Sequence, residues 1–318
     1  MVKITDMALF KAILDKERML RIRKDCVREI VQLDKCSNCF CLVRDNNEKD
    51  RDGDYYDDEP LTYKSDFSID SMFKYLDIEA FIKTLKTGFL FKEPSLWPDP
   101  YEKLFYNAKY HEIDSLDTPN PLYACCFTTG EETDASWKQY ADNSGLGSKC
   151  IRLRLNFNNY FDELNKYAEK HNCKIYVGAV SYEYKEQDID LFYEKGTKWN
   201  SFWFTKFSLK NYLSLLLVKR PAYYTEKELR VFIVPENSKR KNKKLFVKRN
   251  MKWNNIITEV LLGPDTTEEE LMFVKWNCEN NGIHCPVRKS SLKEEHSVID
   301  IYPVAKEESF IAEIWDEI

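Results

Sequence analysis

The chain has 318 residues, 43% hydrophobic and 32% charged, with a formal net charge of −5. It carries nine glycines, where an ordinary usage of about 7% gives more than twenty. It contains neither Gly-x-x-x-x-Gly-Lys-Ser/Thr nor Gly-x-Gly-x-x-Gly, which excludes a P-loop nucleotidase and a standard dinucleotide fold.

Residues 5–34 carry apolar positions at helical spacing. Met7, Phe10, Ile13 and Leu14 lead, then Met19, Leu20, Ile22, Cys26, Val27 and Ile30, which predicts one or two amphipathic helices. We therefore read 1–44 as a helical arm, a surface for a protein partner. Residues 45–59 hold eight acids against Lys49 and Arg51, so 45–69 reads as an acidic linker.

An α+β core follows over 70–305, with a mixed, mainly antiparallel sheet flanked by helices. Asp77 is placed to cap a helix over 77–87 that Gly88 closes. Strands are predicted at 89–94, 122–129, 150–157, 174–183, 228–234 and 255–263, with helices at 134–142, 159–171 and 201–218. In 150–157 the alternation places Ile151, Leu153, Leu155 and Phe157 inward and Arg152 and Arg154 outward. Thr266 and Thr267 cap a helix ending at Gly282. A short edge strand at HCPVRKS, a final strand at VIDIYPV and an acidic tail over 306–318 close the chain.

Ten cysteines occur behind a charged N-terminus that is no secretory signal, and no apolar run approaches ~18 residues. This predicts a cytoplasmic protein with reduced thiols and no membrane contact. Four histidines are scattered without ligand spacing, and Cys36-x-x-Cys39-x-Cys41, with Cys26 upstream, lacks a paired knuckle. Packed thiols are the reading, and no metal is expected.

Three stretches have the residues for chemistry. In Lys219-Arg-Pro-Ala-Tyr-Tyr-Thr-Glu-Lys-Glu-Leu-Arg230 a period of two puts Glu226, Glu228 and Arg230 on one strand face. Two adjacent carboxylates with a guanidinium have pKa values pushed apart, as acid–base or cation-stabilising work requires. The plainer alternative is an exposed strand face with an ion pair. Trp137 and Tyr140 share a helical face and offer rings to stack a base or nicotinamide, or ordinary core packing. Asp99, between two prolines, lies in a rigid polar loop, as a binding residue or as a turn bonding its own backbone. A fourth stretch, 239–252, has eight Lys/Arg and no acid. Lys239, Arg240, Lys241, Lys243, Lys244, Lys248 and Arg249 are its candidate phosphate contacts, in a hairpin between the strands at 228–234 and 255–263.

Taken in order, these stretches resemble a bacterial family known as domain of unknown function 2971. The matching elements are Phe73-Lys74-Tyr75, Pro98-Asp99-Pro100-Tyr101-Glu102 and Cys126-Phe127-Thr128. They continue with Trp137, Tyr140, Ala141, Asp142 and Gly145, then Lys219 with Glu226-x-Glu228-x-Arg230, then Gly263. Two positions depart from the family pattern: Leu76 replaces an arginine, and Pro98 an asparagine. The layout is also similar, more distantly, to ADP-ribosyltransferases and to a phage abortive-infection family. That resemblance implies a split sheet and an effector of phage defence or toxin type. Its substrate would be NAD, and its acceptor a protein or nucleic acid. Lys74, Tyr75, Trp137, Tyr140 and Asp99 would then hold NAD. Glu228 would be the catalytic carboxylate, Glu226 would orient the acceptor, and Arg230 would set their ionisation or bind a phosphate. The alternatives from other classes are a nucleic-acid-directed nuclease or binder using 239–252, and a non-catalytic sensor or interaction module.

Overall fold

The computed structural model describes residues 28–33, 36–44, 70–103, 106, 121–142, 150–182, 209–236, 243–247 and 251–293. The strands are β1 (Arg28–Gln32), β2 (Cys39–Arg44), β3 (Ser71–Asp77), β4 (Leu90–Lys92), β5 (Tyr123–Thr128), β6 (Cys150–Asn156), β7 (Cys173–Ala179), β8 (Glu228–Pro235), β9 (Lys244–Phe246), β10 (Ile257–Leu262) and β11 (Val287–Lys289). The helices are α1 (Ile78–Thr87), α2 (Asp134–Asp142), α3 (Phe157–His171), α4 (Leu209–Leu215), α5 (Trp253–Ile256) and α6 (Glu268–Asn280). This is an α+β fold on one large mixed sheet.

The sheet runs β1-β2-β7-β8-β5-β3-β6-β10-β11, with β4 bridging β5 to β9. Only β2–β7 and β10–β11 are parallel among the described pairs. The middle of the sheet is thinly joined. β5 pairs fully with β8 along one edge, but its other edge meets β3 at Phe73↔Thr128 and β4 at Lys92↔Ala124.

Alternation along each strand sorts the core into two faces. Met72, Cys125, Phe127, Leu153, Leu229 and Val231 point to one face, where α1, α3, α5 and α6 cover them with Phe81, Tyr160, Phe161, Trp253 and Val274. On the other face, Ala124, Tyr176, Phe232 and Val234 pack under α4 with Leu213, Leu216 and Trp97. Tyr75, Trp137, Cys150 and Leu261 form a separate small cluster there, under α2.

The local signals act where expected. Asp77 accepts from Ala80 N at 2.5 Å, and Gly88 ends α1 at φ 80°. Thr267 and Glu270 form a reciprocal capping box at the start of α6. Two readings need correction. The helical periodicity of 5–34 does not extend to residues 28–32, and 39–44 also lie outside any helix. Both segments are strands of the main sheet, because β2 finds a parallel partner in β7 and carries β1 with it. Ladder pairing outweighs a helical pattern that short. Arg152 does not point to solvent. It is buried, stacked on the Phe73 ring at 3.6 Å, with Nη2 donating to Gly130 O at 3.0 Å. Residues 1–27, the acidic linker at 45–69, the strand at VIDIYPV and the tail at 306–318 lie outside the described residues. No helix among the described residues is long and apolar enough to cross a membrane.

Candidate active site

Between the two clusters on the α2–α4 face, the sheet carries charge instead of hydrocarbon. Thr128 on β5, and Glu228 and Arg230 on β8, share that face, because alternate residues of a strand point the same way. A 3₁₀ turn over Pro221–Glu226 leads into β8, and Lys227 follows it in the left-handed region at φ 40°. That corner bends the chain, so Glu226 is not part of the strand. It reaches the same point as Glu228 from the turn.

Both carboxylates meet Lys219. Its Nζ pairs with Glu226 Oε2, lies 3.1 Å from Glu228 Oε2 and lies 2.8 Å from Glu102 Oε1. Pro221 sets the turn that folds Lys219 back over Glu226, seven residues on. Arg230 is fully enclosed, at 0% exposure. Its Nε and Nη2 donate to the two oxygens of Glu228 at 2.8 and 3.1 Å, and Nη1 donates to Leu216 O at 2.6 Å. Nη2 also lies 3.3 Å from Glu102 Oε1, and the guanidinium sits 4.3 Å from the Trp97 ring centre. Three carboxylates therefore face two cations in a volume almost closed to water. Glu228 is 5% exposed and Glu226 8%. The exposed-face reading of Glu-x-Glu-x-Arg is overturned. Arg230 has no exposed surface, and its guanidinium is committed to Glu228, Glu102 and Leu216 O.

The two neighbouring glutamates are driven in opposite directions. Burial acts to raise Glu228, but Arg230 and Lys219 outweigh it and hold the carboxyl well below the usual range. Burial raises Glu226, Lys219 only partly opposes it, and the charge of Glu228 adds to the rise. Burial acts to lower Lys219, but Glu228, Glu102 and Glu226 together keep it firmly charged. The second oxygen of Glu226 is held by α2, where Gln139 Nε2 donates at 2.6 Å. Its backbone carbonyl accepts from Thr128 Oγ1. Tyrosines border the pair. The Tyr182 hydroxyl accepts from Glu228 N at 2.8 Å, the Tyr223 ring lies 4.7 Å from Lys219 Nζ, and exposed Tyr224 meets Tyr182 edge-on at 5.7 Å.

Asp99 enters the site through a second ion pair. Its Oδ2 accepts from Arg220 Nη2 at 2.9 Å, and its Oδ1 accepts from Tyr101 N at 2.9 Å, the turn bond its flanking prolines favour. Trp137 and Tyr75 do come together, edge-on at 5.2 Å, but both rings are buried in contact with each other. Burial pushes the Tyr75 hydroxyl up to about 12. Lys74 is on the wrong side of the sheet for Glu228. It lies over the Phe127 ring at 5.4 Å on the opposite face, with Nζ donating to Cys126 O. Adjacent strand residues cannot share a face, so Lys74 and Tyr75 could not both have joined the site. Tyr140 lies in α2, but its side chain falls outside the described residues.

Arg152 lines a cavity of about 230 Å³ with Phe73, Arg154, Leu261, Arg288 and three acids, Glu131, Glu132 and Glu259. Its Nε has no hydrogen-bond partner among the described residues. A chain of hydrogen bonds runs from Arg152 to the site: Arg152 donates to Gly130 O, Gly130 N–H donates to Thr128 Oγ1 at 3.0 Å, and Thr128 Oγ1 donates to Glu226 O.

Of the basic stretch, Lys239, Arg240, Lys241, Lys248 and Arg249 lie outside the described residues. Lys243 lies 3.8 Å from Glu93, and Lys244 is in β9, which pairs with β4 and not as a hairpin with β8 or β10. Cys36, Cys39 and Cys41 are buried free thiols. No group of three His, Cys, Asp or Glu is arranged for a metal among the described residues.

Lys219 and Glu102, which stand in motifs read from the sequence, complete the site with Arg220, Gln139 and Tyr182, which were not singled out. Lys219 had a readable signal, a lysine one turn before Glu-x-Glu with Pro221 between. Glu102 had the Asp-Pro-x-Glu loop, while Gln139 and Tyr182 arrive from distant elements and had none. Comparison with family models, curated proteins and solved structures finds no match to this chain.

Proposed function

We propose that the chain is an ADP-ribosyltransferase-type enzyme. It would take NAD as substrate and pass ADP-ribose to a macromolecular acceptor, as a bacterial effector of phage defence or toxin type. The observation that carries this reading is the pairing of Glu226 with Glu228 on one buried lysine, with only Glu228 also clamped by Arg230. Neighbouring carboxylates held at opposite ends of their range are the mark of divided acid–base labour. Their burial beside tyrosines also speaks against a purely solvent-facing interaction module.

In the reaction, the bond between ribose C1′ and the nicotinamide nitrogen breaks, and the electron pair leaves with nicotinamide. Glu228, permanently charged, stabilises the cation left on the ribose through the electric field of a dry site. The acceptor atom bonds to C1′, and its proton passes to the Glu226 carboxylate, the one of the pair not clamped by Arg230. This reverses the emphasis of the sequence reading, in which Glu226 only orients. Substrate reaches Glu226 by replacing Gln139, and Tyr223 and Tyr224 supply ring faces at the entrance in place of the enclosed Trp137–Tyr75 pair.

The test is transfer of label from adenine-labelled NAD in a bacterial lysate, with and without nuclease, using wild type, Glu226→Gln and Glu228→Gln. Label on a macromolecule is expected with wild type and lost in both variants, while Glu226→Gln keeps the wild-type circular dichroism. Transfer that survives Glu226→Gln, or no NAD binding or nicotinamide release by wild type, sinks the reading.

A further inference from the structure

Helix α6 is apolar on both sides. Leu271, Val274 and Cys278 are buried against the sheet. Met272, Phe273 and Trp276 face the other way, exposed by 69, 50 and 60%. At 100° per residue these three span one outward stripe, with Met272 and Trp276 one turn apart. A surface helix normally presents charge there. A contiguous stripe of a tryptophan, a phenylalanine and a methionine marks a contact surface.

The surroundings choose the occupant. Glu268, Glu269 and Glu279 flank or interrupt the stripe, against Lys275 alone. A second copy of the same face would bring carboxylates against carboxylates, and an anionic bilayer would be repelled likewise. The acidic C-terminal residues of the chain meet the same objection. We propose that the outer face of α6 is a docking surface for a cationic amphipathic helix of a partner protein. The partner's apolar side chains would cover Trp276 and Met272, and its lysines or arginines would meet Glu269 and Glu279. A helix-on-helix contact of this kind is anchored by residues one turn apart, the spacing α6 displays.

The test uses the full chain and two designed helical peptides with identical leucine positions, one with lysine and one with glutamate at every polar position. Binding is followed by fluorescence anisotropy at two salt concentrations. The lysine peptide is expected to bind wild type saturably at one per chain and more weakly in high salt. Trp276→Ser should lower its affinity at least ~10-fold, as removal of a central aromatic anchor does. Glu269→Lys with Glu279→Lys should weaken it and admit the glutamate peptide. All three positions are exposed, so Trp276→Ser should keep the wild-type melting curve, and the double-lysine variant should melt no more than a few degrees lower, for the charge reversal in the first turn of α6. The proposal is overturned if the lysine peptide does not bind, if Trp276→Ser leaves its binding unchanged, or if both peptides bind wild type alike. It is also overturned if wild type sediments as a dimer that Trp276→Ser dissolves, or if it binds anionic vesicles through Trp276.

Discussion

Glu226 and Glu228 bind the same lysine, but only Glu228 is also gripped by Arg230, through both of its oxygens. Two residues apart in the chain, they occupy opposite electrostatic situations. The second cation, on β8 itself, makes the difference.

This asymmetry sets a two-sided pH dependence of stability. Glu228 is lowered from 4.5 in the fold, so its contribution is present above 4.5 and is lost as pH falls from there. Glu226 is raised from 4.5, so its contribution is full below 4.5 and is lost as pH rises through its folded value. Urea midpoints measured from about pH 3 to 8 should show both limbs in wild type. Glu226→Gln is expected to remove only the falling limb. Glu228→Gln should remove the acid limb and move the other to lower pH, since the charge of Glu228 helps to raise Glu226. Identical profiles in wild type and Glu226→Gln would contradict the assignment.

The two buried arginines should respond differently to the same replacement. Arg230→Met strands Glu228 and Glu102 in a dry environment and should cost about 3–5 kcal/mol. Adding Glu228→Met should recover part of that loss. Arg152→Met keeps apolar contact with Phe73 but loses the cation and leaves Gly130 O unpaired, so about 1–3 kcal/mol is expected. Equal losses in urea titration would mean that the carboxylates are not what Arg230 serves.

Lys219 occupies a position that three carboxylates address. Lys219→Ser should leave Glu102, Glu226 and Glu228 converging on an open space, an arrangement of oxygen ligands suited to a hard divalent cation. The variant should be less stable than wild type without metal. It should recover in millimolar calcium or manganese, because a ligand of the native state alone raises the melting temperature. A variant whose melting point ignores both ions would show that the three groups part when the lysine leaves.

Gly178 stands opposite Arg230 in the β7–β8 ladder. A Cβ there would lie 2.3 Å from Leu217 Cδ1 and 3.3 Å from Leu42 Cβ. Leu217 is fully buried, and the preceding carbonyl, Leu216 O, accepts from Arg230. Gly178→Ala should therefore cost about 1–3 kcal/mol by overpacking. Because it displaces an arginine ligand, it should also weaken the acid limb of the pH profile. A loss of stability with that limb unchanged would confine the effect to packing.

The sequence makes most of this sheet legible, because capping and alternation are local. Asp77 and Gly88 bracket α1, Thr267 opens α6, and the apolar run around Cys125 marks a central strand. β1 is hidden because its helical spacing is overruled by pairing with β2, which is itself placed by a partner more than 130 residues away, with Cys39 opposite Ile175. The site divides along the same line. Glu226, Glu228 and Arg230 stand together in sequence and in space. The aromatic-Lys-Tyr element does not behave as a unit, because the pleat sends Lys74 and Tyr75 to opposite faces. Glu102 and Gln139 are placed only by the packing of whole segments, which no local pattern encodes.

Lys227, at φ 40°, separates the two glutamates by a corner. Their spacing is therefore governed by the torsions of one residue and not by the fixed pitch of a strand. The ladder of β8 fixes Glu228 and Arg230, while Glu226 is fixed from the turn by Thr128, Gln139 and Lys219. The centre combines one carboxylate placed by a sheet with another placed by a turn. Substitutions at residue 227 act on the gap between them at the corner where Lys227 O also accepts from Thr129 N.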